Sequence, residues 1–248
     1  MNKYKSKVLA VIPSRIGSTR LSRKPLIKIA GKPLVQHVYE GTMQSRLVDK
    51  VIVATDSKEI FECVKSFNGE VMMTSNKHKN GTERVAEIAK KMPEYNIVIN
   101  VQGDQPMIKG EMIDSIIKSL IETEVNMATL KTKIKNETEL NDSSVVKVVT
   151  DKNNLALYFS RSTIPFNRDG VNIAYYNHLG IYGFTREFLL KYIQMEQTIL
   201  EQTESLEQLR FLENGAEIYV AETKNQLIEV NVPEDISKVE NTINNKIK

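Results

Sequence analysis

Val8-Leu9-Ala10-Val11-Ile12-Pro13-Ser14-Arg15-Ile16-Gly17-Ser18-Thr19-Arg20-Leu21-Ser22-Arg23-Lys24-Pro25-Leu26 is the stretch that decides the fold. The apolar residues run unbroken from Val8 to Ile12, which suits a strand covered on both faces, as in a parallel sheet. The composition then turns over abruptly: Arg15, Arg20, Arg23 and Lys24 crowd around Gly17, Ser18 and Thr19. Backbone N–H groups, hydroxyls and fixed positive charge at the end of a buried strand form a ligand site in an open α/β sheet. The ligand that matches is a polyphosphate. The loop lacks both the P-loop ending and the GxGxxG spacing. By spacing alone it reads equally well as a solvated basic loop after a core strand.

The chain after this stretch alternates helix and strand. Lys32-Pro33 predicts a helix start, with Leu34, Val35 and Val38 on one face. Residues 51–55 read as a second buried strand ended by Asp56, then a helix over about 58–67 and a short strand Val71–Thr74. A polar loop from Ser75 to Gly81 leads into Thr82-Glu83-Arg84 and a helical stripe of Val85, Ile88, Ala89 and Met92. Ile97–Val101 is the fourth strand, so the order β-α-β-α-β-α-β predicts an α/β fold on a parallel sheet. The fourth strand ends in Gln102-Gly103-Asp104-Gln105-Pro106. A carboxylate there suits a magnesium ligand, because Mg²⁺ takes one or two carboxylates and fills its shell with phosphate oxygens and water. Asp104 capping the N–H groups of a turn is the competing reading.

Beyond a helix near 111–122 the chain becomes β-rich: Val125–Leu130, Val145–Thr150, Leu155–Ser160 and Asn177–Phe184 read as strands, antiparallel or at an edge. A helix over about 186–193 follows, then Thr198-Ile199-Leu200-Glu201 with capping-box spacing. A segment near 203–213 stops at Asn214-Gly215. Glu217–Ala221 and Leu227–Val230 read as the last strands, and Pro233 opens a terminal helix. With no linker or repeat, residues 1–248 read as one domain carrying a β-rich insertion near 130–185.

Composition narrows the classes. The 34 basic and 31 acidic residues leave a net charge of +3, too little to imply nucleic acid, so an anionic ligand must meet a local patch. Cys63 is the lone cysteine, which excludes an internal disulfide and fits a reducing compartment; its helical setting predicts a buried, inert thiol. The apolar run at Val8 is too short for a signal segment, and no stretch approaches the length of a membrane span. A cytoplasmic protein is the expectation, with no membrane and no nucleic acid among its partners.

Further motifs sharpen the reading. Ala54-Thr55-Asp56, Gly81-Thr82-Glu83-Arg84, Val101-Gln102-Gly103-Asp104, Tyr158-Phe159-Ser160-Arg161, Ile164-Pro165, His178-Leu179-Gly180-Ile181-Tyr182-Gly183, Leu206-Glu207-Gln208-Leu209-Arg210 and Pro233-Glu234-Asp235 follow the basic loop in order. With Val146-Lys147-Val148-Val149 between them, they make the chain resemble, from Val8 to about Val239, the 3-deoxy-manno-octulosonate cytidylyltransferase (CMP-Kdo synthetase) family. The resemblance implies a nucleotide-diphospho-sugar transferase sandwich of three layers, with a mostly parallel sheet and a small β-rich dimerisation insertion. It implies CTP plus the keto-sugar acid Kdo giving CMP-Kdo and pyrophosphate, Mg²⁺, a homodimer, and supply of sugar for lipopolysaccharide. It also implies roles. Arg15 and Lys24 hold the triphosphate, with Ser18 and Arg20 in support, and Gly81 and Thr82 flank the cytidine. Asp104 binds the metal, Gln102 lies near the sugar, and Arg161, His178, Tyr182, Glu207 and Gln208 recognise it. Core packing for His178 and Tyr182, and an acidic partner for Arg161, are the plain alternatives.

The chain also departs from the family. The usual Asp-Thr-Pro-Glu-Asp, whose first Asp is the second metal carboxylate, is here Asn231-Val232-Pro233-Glu234-Asp235. Asn231 offers an oxygen without charge, which weakens Mg²⁺ binding, or else it caps the terminal helix in place of Val232. Ser22-Arg23 stands where Pro-Gly is usual, and Gln105 replaces an expected Glu. Loss of negative charge around the metal suggests a site retuned for a related sugar such as 8-amino-8-deoxy-Kdo, or a CTP-binding regulator with weakened catalysis. A sialic-acid cytidylyltransferase fits less well, because the Tyr-Phe-Ser-Arg and His-Leu-Gly-Ile-Tyr-Gly stretches are of Kdo type.

Overall fold

The computed structural model describes residues 6–17 and 21–247. They gather into two compact units, one of residues up to 114 together with those from 227 onward, the other of residues 115–226.

The first unit is built on β1 (Val8–Ser14). Leu9 to Ile12 are fully buried, which explains the unbroken apolar run. A 3-10 turn at Lys24–Leu26 and a hairpin of β2 (Lys28–Ile29) and β3 (Lys32–Pro33) lead into α1 (Leu34–Met43). Pro33 therefore stands one position ahead of the helix, at its N-cap with extended ψ, and not inside the first turn as expected. Next come β4 (Lys50–Thr55), α2 (Lys58–Ser66), β5 (Val71–Met73), α3 (Gly81–Lys91) and β6 (Ile97–Asn100). The strands pair in parallel in the order β6-β1-β4-β5, so the predicted β-α-β-α-β-α-β alternation holds. Side chains fix the helix starts: Ser57 Oγ accepts from Ile60 N–H at 3.4 Å, and Asn80 Oδ1 accepts from Glu83 N–H at 2.8 Å. Cys63 on α2 is half-buried and not fully buried as expected; burial still pushes its thiol up, which keeps it protonated and inert.

Helix α4 (Gly110–Thr123) runs from the first unit's residues into those of the second. The second unit holds β7 (Met127–Lys133), a short α5 (Glu137–Asn141) that the sequence pattern did not announce, β8 (Lys147–Thr150), β9 (Ala156–Ser160) and β10 (Tyr176–Thr185). β10 runs antiparallel to β7 and to β8, and β8 is antiparallel to β9, as expected of the strands read at 125–130, 145–150, 155–160 and 177–184. Then come α6 (Arg186–Tyr192), α7 (Ile199–Glu204), α8 (Gln208–Glu213) and β11 (Ile218–Glu222), which is parallel to β7. The predicted single segment near 203–213 is split, because Ser205 takes a left-handed backbone at φ 53° and ends α7. Buried Arg210 of α8 bonds Glu201 of α7 at 2.7 Å and ties the two short helices together.

Residues 227–230 do not form the predicted strand. Val230 N–H donates to Asp104 C=O at 2.9 Å, a ladder-like link. They lead to α9 (Pro233–Ile247), which returns to the first unit. Val230 and Val239 pack with Ile29 and Leu34 in one buried cluster. This packing carries Glu229 and Asn231 back to the end of the first sheet.

Candidate active site

The mouth of β1 opens on a cleft of about 260 Å³, lined by Pro13, Ser14, Arg15, Lys24, Pro25, His78, Asn80, Gly81, Arg84, Gln102, Gly103 and Asp104. The loops that follow the parallel strands β1, β5 and β6 converge there with the 3-10 turn, as strand ends do in an open α/β sheet. Backbone must come close for this to work. A Cβ at Gly103 would stand 2.8 Å from Pro13 C=O, so only glycine lets the β6 loop lie against the end of β1. Asn80 and Gly81 put the N-terminus of the eleven-residue α3 at the cleft wall, where the helix dipole favours an anion.

Lys24 is held inside this cleft. Its Nζ donates to Asp104 Oδ2 at 2.8 Å and to Asn231 Oδ1 at 3.3 Å. Asn231 Nδ2 donates to Glu229 Oε2 at 3.2 Å, and buried Gln105 donates from Nε2 to Glu229 Oε1, also at 3.2 Å. Loss of water around the Glu229 carboxyl, with repulsion from Asp104, pushes its pKa above the usual carboxylate range. The residue as a whole keeps an exposed face. Among the described residues, the buried Ser14 Oγ at the cleft and Gln105 Oε1 beneath it have no hydrogen-bond partner. Buried polar atoms of this kind are commonly completed by water or ligand.

Two cleft residues were not singled out by sequence. Arg84 is buried under the α3 wall, where its guanidinium donates to Asp56 Oδ2 at 2.9 Å and to the Thr74 hydroxyl. His78 Nε2 lies 2.5 Å from Glu87 Oε2. Burial opposes ionisation of Glu87, yet donors from Lys91, His78 and Ser75 N–H outweigh it and bring its pKa down to about 2. Arg84 lay within a quoted motif; His78 carried no signal beyond its place in a polar loop.

The predicted residues divide as follows. Arg15, Lys24, Gly81, Gln102 and Asp104 line the cleft. Ser18 and Arg20 lie outside the described residues. Thr82 is buried inside α3, where its hydroxyl accepts from Asn100 Nδ2 at 3.3 Å, so it is not among the cleft-lining side chains. Arg23 is more than half exposed and paired with Glu59, off the cleft wall. Asn231 does not cap α9: the Asp235 carboxylate does, accepting from Asn231 and Val232 N–H at 3.0 and 3.1 Å.

Within the second unit, Tyr182, Gln208 and His178 form one chain. Tyr182 OH donates to Gln208 Oε1 at 3.1 Å, and Gln208 Nε2 lies 3.5 Å from His178 Nδ1. His178 Nε2 lies 3.0 Å from Thr129 Oγ1, whose hydroxyl donates to Ile181 C=O at 2.7 Å. Thr129 Oγ1 therefore accepts, which assigns the ring proton to Nε2 and leaves Nδ1 to accept. Complete desolvation lowers the His178 pKa to about 3, so the ring is neutral. Arg161 finds carbonyls and not a carboxylate: Nε donates to Glu204 C=O at 2.7 Å and Nη1 to Ser143 C=O at 3.0 Å. Its backbone N–H meets the Glu204 carboxylate at 2.9 Å. Glu207 stands at the N-cap of α8.

A parallel sheet whose strand ends gather basic side chains and a helix N-terminus around one carboxylate defines a nucleotide-phosphate-binding α/β protein. The chain belongs to the cytidylyltransferase family, whose profile matches residues 9–218. It is 49% identical over 244 residues to a 3-deoxy-manno-octulosonate cytidylyltransferase of Fusobacterium nucleatum, covering 98% of this chain and 99% of that one. A protein of the same name from Geobacter sulfurreducens is 47% identical, with 94% and 97% covered. A solved structure described as CMP:2-keto-3-deoxy-manno-octonic acid synthetase complexed with CTP superposes with a TM-score of 0.93 at 40% identity, covering 97% of this chain and all of that one. The fold is thus the expected mixed α/β one. Among the described residues, no helix is long and apolar enough to cross a membrane.

Proposed function

We propose that this protein activates 3-deoxy-D-manno-octulosonate with CTP, giving CMP-Kdo and pyrophosphate for lipopolysaccharide synthesis in the cytoplasm. One observation carries the reading: Arg15, Lys24 and the α3 N-terminus face one cleft beside Asp104. The similarity to relatives of that name over nearly the whole chain supports it.

In the reaction the anomeric hydroxyl of the sugar bonds to the α-phosphorus as the bond from that phosphorus to the pyrophosphate oxygen breaks. The hydroxyl proton passes to water, and pyrophosphate departs with the electron pair. Positioning and charge stabilisation carry such a transfer. Arg15 and Lys24 neutralise the triphosphate and the leaving pyrophosphate, with Ser18 and Arg20 in the same loop assisting. Gly81, at the cleft wall, lets the nucleotide approach the start of α3, and Thr82 holds that start by its bond to Asn100.

The donor set fits a magnesium ion. Asp104 Oδ2 and Asn231 Oδ1 both reach one cationic atom, Lys24 Nζ, so two oxygens converge where a cation is held. One carboxylate and one neutral oxygen, with phosphate oxygens and water, make up a shell that Mg²⁺ accepts. Bound there, Mg²⁺ supplies positive charge to the phosphates. Asp104 and Asn231 would hold it, and Lys24 then turns to phosphate.

Gln102, Arg161, His178, Tyr182, Glu207 and Gln208 recognise the sugar acid in this reading, His178 acting through Gln208. The whole of 1–248 works as one nucleotidyltransferase domain. Homodimerisation through 130–185 is part of the same proposal; Leu157, Phe166 and Val171 there are exposed apolar side chains, 62%, 85% and 59% accessible.

The test is incubation with CTP, Mg²⁺ and Kdo in competition with 8-amino-8-deoxy-Kdo, following pyrophosphate and the CMP-sugar. Release of pyrophosphate with CMP-Kdo as main product is expected. No release from either sugar, beside an active control enzyme, overturns the reading and leaves a CTP-binding regulator.

A further inference from the structure

The second carboxylate that the resemblance implies at the start of the terminal helix is absent at Asn231, yet a carboxylate is present two residues earlier, at Glu229. Glu229 has both oxygens engaged by amide N–H groups, Oε2 by Asn231 Nδ2 and Oε1 by Gln105 Nε2. A carboxylate accepting two donors is satisfied in its ionised form. The bond to Asn231 also has a direction. An amide has one acceptor face and one donor face, and engaging Nδ2 leaves Oδ1 turned to Lys24 Nζ. Without Glu229, that orientation is left to the Lys24 ammonium, which turns to phosphate in the reading above; the flip would aim two hydrogens at the cation position.

The surroundings leave Asn231 little choice. Its backbone N–H is taken by Asp235, and its neighbour Val230 is fixed through Asp104 C=O and the buried cluster with Ile29 and Leu34. Gln105 is fully buried, so Glu229 is held from one side by an immobile amide while it holds the other. Charge follows the same geometry. Glu229 supplies a second carboxylate beside Lys24 and Asp104, the number that carboxylates at 104 and 231 would give.

We propose that Glu229 is the positioning residue for the cation site: it fixes the carbonyl of Asn231 toward the phosphates and returns the carboxylate that position 231 lacks. This rests on the CTP-dependent reading above. Partners that orient a metal-binding group typically change metal affinity by about ten- to a hundredfold when removed.

The experiment measures Mn²⁺ binding by electron paramagnetic resonance in the presence of a non-hydrolysable CTP analogue, with metal-free CTP binding and thermal unfolding run alongside. Four proteins are compared: the unaltered chain, Glu229→Gln, Asn231→Asp and the exchanged pair Glu229→Gln/Asn231→Asp. Glu229→Gln is expected to weaken Mn²⁺ by about tenfold with its melting temperature kept. In the exchanged pair, the amide introduced at position 229 can donate to the new carboxylate and still accept from Gln105, so Mn²⁺ affinity is expected to recover. Asn231→Asp is expected to gain at least about threefold more in the Glu229→Gln background than alone, because two adjacent carboxylates repel. Equal gains in both backgrounds, or an unchanged affinity in Glu229→Gln, overturn the proposal. Sugar transfer is not read in this experiment, so a chain that binds Mn²⁺ and CTP as expected yet makes no CMP-Kdo refutes the proposed function and leaves the role of Glu229 standing.

Discussion

Replacing Lys24 by Met keeps most of the stem and removes the ammonium that lies 2.8 Å from Asp104 Oδ2 and 3.3 Å from Asn231 Oδ1. Two effects follow, and they are measured separately. In the ligand-free protein Asp104 loses its ion partner while Glu229 remains nearby. The Lys24 and Asp104 side chains are 15% and 25% exposed. An exposed pair contributes at most about 1 kcal/mol, and breaking a fully buried one costs about 3–5 kcal/mol, so this pair falls near 2 kcal/mol. Urea unfolding at neutral pH reads that loss. Lys24→Met/Asp104→Asn is expected to recover most of it, because no unpaired carboxylate is left. In the liganded protein a charge-assisted bond to phosphate disappears, about 1.5–3 kcal/mol in gross terms. Lys24 gives up Asp104 to make it, which brings the net effect to about ten- to thirtyfold in CTP affinity. Titration calorimetry without divalent metal measures this directly. A Lys24→Met protein that is folded and binds CTP within twofold of the parent refutes the assignment of Lys24 to the triphosphate.

Two further outcomes are expected. Gly103→Ala would put a Cβ 2.8 Å from Pro13 C=O and 3.2 Å from Ser14 Oγ. The end of β1 must then shift, at about 1–3 kcal/mol, with weaker CTP binding. Gly17→Ala, which meets nothing within 4 Å, serves as the neutral comparison; equal melting curves for the two would contradict the close approach. For pH, His178 has its folded pKa lowered to about 3 by burial. An unfolded chain protonates it near pH 6.5, so stability is full above that value and falls as pH drops from about 6.5 towards 3, by about 2 kcal/mol at pH 5. Glu87, held near 2, loses its contribution only below about pH 4.5, so it does not enter a comparison made at pH 5 and above. Urea unfolding at pH 7.5 and 5.0 should show the loss, and His178→Gln should reduce it; an equal loss in the variant would contradict the buried neutral ring.

The sequence showed its parallel sheet because both faces of β1, β4 and β6 are covered, which leaves continuous apolar runs with no competing periodicity. Helix α3 was equally plain, with a buried stripe of Val85, Ile88 and Ala89 after an Asn cap. What escaped depends on distance or on single backbone states. Residues 227–230 have the composition of a strand, but they form none: Val230 bonds Asp104 and packs with Ile29 and Leu34. Ser205 breaks a helical pattern through a left-handed backbone that its side chain does not announce. At the site, the basic loop and Asp104 were legible as local composition. The link from Lys24 to Asn231 spans 207 positions, and that from Gln105 to Glu229 spans 124, so no window contains them. Of the two readings open for Asn231, the helix cap fails for a related reason: its carbonyl oxygen meets Lys24, while Asp235, the third residue of the helix, reaches back to the N–H groups of Asn231 and Val232.

The central claim is that the triphosphate of CTP lies at the mouth of β1, and a crystal structure of the protein with CTP and Mg²⁺ tests it most directly. Phosphate oxygens within about 3 Å of the Arg15 guanidinium and Lys24 Nζ, beside the start of α3, are the expected result. A triphosphate bound anywhere else, with Lys24 still paired to Asp104, would contradict the account.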